Sequence, residues 1–115
     1  MTHFPRMAEH HSGFDQSTLP SIPSDWVDTS WVNDCCPSFE VPGKPVRVWI
    51  DYPDPQHREF PEDGRFMVTA MDGDQLSDLT LVDPTDDWSA ILEYLRTMSD
   101  RVLFTLTKRL ANGNV

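Results

Sequence analysis

Positive charge, glycine and long apolar runs are all scarce in this chain of 115 residues. Nine Lys and Arg stand against nineteen Asp and Glu, a formal charge of −10. That balance excludes a protein that grips nucleic acid directly, because such binding needs cations to replace counterions along the phosphates. No stretch approaches the roughly 18 apolar residues of a membrane span, and no basic, apolar, small-residue leader opens the sequence. A cytoplasmic protein without membrane contact is therefore expected. There is no P-loop, GxGxxG, GxSxG or HExxH motif and no internal repeat, so the common nucleotide, hydrolase and metalloprotease signatures are missing.

Cysteine is nearly absent. Cys35 and Cys36 are adjacent, and a trans peptide holds neighbouring Cα atoms about 3.8 Å apart, below the span usual for a disulfide. Free thiols in a reducing compartment are the expectation.

Proline is abundant: ten residues, nine of them before residue 62. Residues 1–24, rich in Ser, Thr, Pro and His without periodicity, read as a flexible N-terminal arm. Residues 25–40 carry Trp26, Val27, Trp31 and Val32 at a spacing that fits neither helix nor strand, and predict a packed, Trp-rich ordered loop. Alternation of Val46, Val48, Ile50 and Tyr52 predicts a strand, ended by Pro53. A second strand is predicted over Arg65–Met71. Asp72-Gly73 supplies a hairpin turn, and a return strand covers Leu79–Val82 with a bulge or longer loop before it, because Leu76 is out of phase.

Trp88, Ile91, Leu92 and Leu95 share one helix face. Thr85 is the expected cap, with Asp86 and Asp87 in the first turn and an acidic seam of Asp86, Glu93 and Asp100 opposite the apolar stripe. Val102, Leu103 and Leu106 would continue the helix but leave Phe104 toward solvent, and the alternation over residues 102–106 suits a further strand better; residues 111–115 are expected to fray. The fold class is α+β: a small antiparallel sheet of three to four strands packed against one amphipathic helix, within a single domain over 25–110.

Charge is concentrated. Residues 25–93 hold 16 acids against Lys44, Arg47, Arg58 and Arg65, a net of −12, whereas residues 94–115 carry +3. About 30 Å of duplex carries on the order of 18 phosphate charges, so a shared acidic face would resemble a nucleic-acid backbone. The expected function is a non-enzymatic interaction protein that blocks a basic protein partner, such as a nuclease, a nucleic-acid-binding protein or a toxin. Its binding residues would be Asp72, Asp74, Asp78, Asp86, Asp87 and Glu93, with Trp49 as an anchor. No cofactor is called for.

Other chemistries are weaker. The acids from Asp72 to Asp78 do not follow the EF-hand pattern, since Leu76 takes a ligand position. Adjacent cysteines lack the spacing by which zinc loops wrap their ion. A nucleophilic Cys35 or Cys36 with His57 as base, and Asp51 or Asp54 as orienter, has no surrounding signature, and acidic neighbours should hold a thiol protonated. That Cys/His enzyme or metal module is the alternative reading. An acidic subunit whose charge serves only solubility is another.

Overall fold

The structure is a computed structural model that describes residues 4–72 and 75–98, without the side chain of Asp78. The strand predicted at residues 102–106, and the frayed end, lie outside the described residues.

The architecture is α+β. Five antiparallel strands lie in sequence order: β1 (Val27–Asp28), β2 (Ser38–Glu40), β3 (Val46–Ile50), β4 (Phe66–Asp72) and β5 (Gln75–Thr85). A short helix α1 (Pro5–His10) precedes the sheet and α2 (Trp88–Thr97) follows it. Phe39, Val48 and Val68 are successive partners across the sheet and are all fully buried. Val46, Ile50, Phe66 and Ala70 share that face by alternation. Ile91 and Leu95 of α2 close over it, while Trp88 packs edge-on against Trp26 and tilted against Phe66.

The strand count exceeds the predicted three to four because β1 and β2 contain only two and three residues. Strands that short show no readable alternation. They exist because their neighbours offer partners, Val27 to Glu40 and Phe39 to Val48. β3 ends at Ile50 rather than Tyr52, and β5 begins at Gln75 rather than Leu79. The expected irregularity is present as register shifts between Phe66 and Met71. The helix starts at Trp88 and is capped by Asp87, whose carboxylate accepts from the backbone N–H groups of Ser89 and Ala90. Thr85 ends β5, and its Oγ1 accepts from the Asp87 N–H.

Residues 4–24 pack on the core instead of forming a flexible arm. Met7 is fully buried and Phe14 nearly so. Phe4 meets Phe39 edge-on at 5.1 Å, and the Met7 N–H donates to Asp28. Isolated apolar residues give no periodic signal, so this docking was invisible in the sequence. Met7→Ala is expected to cost about 2–4 kcal/mol. Chemical denaturation would measure it, whereas a detached arm would show no change.

His11 is also buried, only 7% exposed, and its Nε2 has no partner. Burial pulls its pKa below 6.5, opposed in part by the Trp31 carbonyl and by Asp34 and Asp28. The native state thus favours the neutral ring. Its stabilising contribution is complete above the unfolded value near 6.5 and declines as pH falls through it toward the folded pKa. Thermal midpoints should drop between about pH 7 and 5, and His11→Gln should flatten that slope.

Candidate functional site

A polar loop joins β3 to β4 and carries exposed Asp54, Glu59, Glu62 and Asp63. Two structural devices hold this loop against the β5–α2 junction. Gly64 abuts the backbone of Thr85, where any Cβ would overlap it. Arg58 lies inside the loop, its side chain 6% exposed, and donates to the carbonyls of Tyr52, Pro53 and Asp63 at 2.8, 3.1 and 2.9 Å. The same guanidinium is 3.8 Å from Asp86, which also accepts from the Arg65 N–H. Asp83, Asp86 and Asp87 are thereby set beside the loop carboxylates, at one end of the sheet.

Asp72 lies at the other end. Antiparallel pairing matches Phe66 to Thr85 and Asp72 to Gln75, so six residues of strand, about 20 Å, separate Asp72 from the acidic cluster. The hairpin thus separates Asp72 from Asp86 and Asp87, which were expected to bind the partner together. Asp74 and the Asp78 side chain lie outside the described residues. Glu93 is exposed but paired to Arg96 at 2.6 Å, and Asp87 is the helix cap. Hydrogen bonds from Ser89, and from the Ala90 N–H, hold the Asp87 carboxyl below the usual range. Trp49 is not an exposed anchor: it is 9% exposed, its indole N–H donates to Thr69, and Arg47 sits over its ring. Trp31, expected to pack beside Trp26, is instead 48% exposed.

Trp31 and Leu76 line an open groove of about 730 Å³, with Arg6, Asp28, Asp34 and Arg47 among its other walls. The groove mixes both signs of charge with two exposed apolar side chains. Its Trp was legible as a residue but not as an exposed one, because exposure depends on the turn between β1 and β2.

On the same sheet face, two residues along β3 from Arg47, Trp49 helps to line a smaller cleft of about 180 Å³. Cys35, Cys36, Asp51, Glu59, Phe60 and Met67 also line it. Both cysteines are free thiols, Cys35 exposed and Cys36 buried, with their sulfurs 3.8 Å apart. A hydrogen bond with Cys36 draws the Cys35 pKa down, against burial and against Asp51, Glu59 and Asp34. The Cys36 pKa is pushed well up by that same contact and by burial. The acidic neighbours act on both thiols in the expected direction, upward, and the contact between the two sulfurs separates the pair. His57 is exposed, lies 4.0 Å from Asp54 and stacks edge-on near Tyr52. Among the described residues it makes no hydrogen bond to either cysteine, so no nucleophile–base pair is assembled.

No family model matches the chain, and neither a curated protein nor a solved structure shows significant similarity to it.

Proposed function

We propose that the protein is a non-enzymatic acidic interaction protein that occupies a basic surface on another macromolecule, of the nuclease, nucleic-acid-binding or toxin kind. One observation carries the reading: among the described residues most cations turn inward and most anions face outward. Among the described residues twelve carboxylates are exposed, against two cationic side chains, Arg6 and Arg96. Arg58 and Arg65 bond to backbone carbonyls, Arg47 to Glu40, and Lys44 to the Met98 carbonyl. The surface of the described residues is therefore more one-sided than their composition alone suggests.

Six of the twelve, Glu59, Glu62, Asp63, Asp83, Asp86 and Asp87, lie on the loop and the β5–α2 junction that Gly64 and Arg58 hold together. Exposed like charges steer a complementary partner and speed its encounter. Trp31, the exposed Trp, shares its groove with Leu76 toward the Asp72–Gln75 end of the hairpin, so the contact proposed at the loop end rests on charge and not on a Trp anchor. A basic partner recovered at low salt should be released as salt rises, because screening shortens the reach of exposed charges. Recovery should be unaffected by chelators or by alkylation of Cys35. Loss of function on alkylation, without any salt-sensitive partner, would favour the Cys/His alternative.

A further inference from the structure

The Cys35–Cys36 pair has a use that the acidic surface does not require. Adjacent cysteines on an extended chain usually point their side chains to opposite sides, yet here both thiols line one cleft with sulfurs 3.8 Å apart. Two outcomes are open to such a pair. A disulfide needs the sulfurs at about 2.0 Å, so they would have to close by nearly half their separation across a short link. A shared metal ion needs less movement. With metal–sulfur bonds of about 2.3 Å, two thiolates stand about 3.8–4.0 Å apart for the tetrahedral to trigonal angles of an ion with further donors, and about 4.6 Å apart for a linear two-coordinate ion. The observed spacing fits the first case, so the site calls for a third donor beside the two thiolates.

The rest of the cleft narrows the ion. Among the described residues no third His, Cys, Asp or Glu completes a ligand set. Zinc in structural sites almost always takes four protein ligands, so a two-thiolate site suits it poorly. Soft thiolate and thioether donors select Cu(I), and Met67 lines the same cleft. Carboxylates of Asp51 and Glu59, also in its walls, favour a cation without having to bind it.

We propose that Cys35 and Cys36 form an open dithiolate site for a single soft, thiophilic ion of the Cu(I) type. Binding replaces the thiol protons: each sulfur gives up its proton to solvent as its bond to the ion forms, and no electron is transferred. Affinity therefore rises with pH.

The reduced full-length chain, kept anaerobic, is titrated with Cu(I) alone against a chromogenic Cu(I) chelator. The expected result is one ion per chain, a near-ultraviolet thiolate-to-copper absorption, and protection of both thiols from an aromatic disulfide reagent. Cys35→Ser, at the exposed position, should weaken binding by at least about tenfold and abolish the absorption. Cys36→Ala tests the buried partner, with circular dichroism to confirm folding. Failure to compete with the chelator, or full binding in Cys35→Ser, would overturn the proposal. In the latter case the ion would sit elsewhere, on the histidines for example. Salt-sensitive partner binding is read separately on metal-free protein, so either reading can fail alone.

Discussion

Arg58→Ala is expected to destabilise the protein by about 3–5 kcal/mol. The guanidinium holds three carbonyls from both arms of the β3–β4 loop, and its side chain is 6% exposed. Removing it leaves those acceptors without their donor, and it removes the countercharge from Asp86, 3.8 Å away. Hydrogen bonds from a charged donor are each worth more than neutral ones. Arg58→Lys should restore little, because one ammonium on a flexible stem cannot reach three acceptors in a planar fork. Urea denaturation of the two variants would measure this. A loss under about 1 kcal/mol for the alanine variant would mean that the loop is held by something else.

A second large effect concerns binding. Replacing Glu59, Glu62 and Asp83 by Lys moves the formal charge by six, from −10 to −4. None of the three makes a side-chain hydrogen bond or ion pair among the described residues, so folding should be preserved. Affinity for a basic partner should fall by at least about 100-fold at low salt, since close interfacial charge pairs couple by several kcal/mol. Asp72→Lys, at the far end of the hairpin, should change affinity by less than about threefold if the loop end is the contact. Equal losses in the two variants would point to total charge alone. Titration calorimetry or surface binding, with thermal melts as the folding control, separates these outcomes.

Periodic elements were legible in the sequence and context-dependent ones were not. The alternation through Val46, Val48 and Ile50, and the i, i+3, i+4, i+7 spacing from Trp88, report directly on burial. β1 and β2 carry no such signal, and Met7 and Phe14 are single apolar residues whose partners lie far along the chain. Asp86 and Asp87 were identifiable as exposed acids beside a helix start. Their neighbours Glu59, Glu62 and Asp63 were not, because more than twenty residues separate the two groups. The contact between Gly64 and Thr85 joins them, and a glycine after Glu-Asp reads as an ordinary turn.

The inward placement of Arg58 and Arg65 was equally hidden. Composition counts a cation the same way whether it faces solvent or a ring of carbonyls. Arg65 donates to Thr18 and Asp51 and lies over the rings of Phe14 and Phe66. Burial lowers its pKa, with Arg58 acting in the same direction. Such an arginine binds the N-terminal segment to the sheet and contributes little positive field outside.

The central claim is that exposed carboxylates at the loop end of the sheet bind a basic surface. Its most direct test is the slope of log affinity against log salt for the captured partner, compared between the native chain and the Glu59/Glu62/Asp83 lysine variant. The account predicts a steep decline with salt for the native chain, and a much shallower one for the variant. Affinity that is flat in salt, or identical slopes for the two proteins, would contradict it.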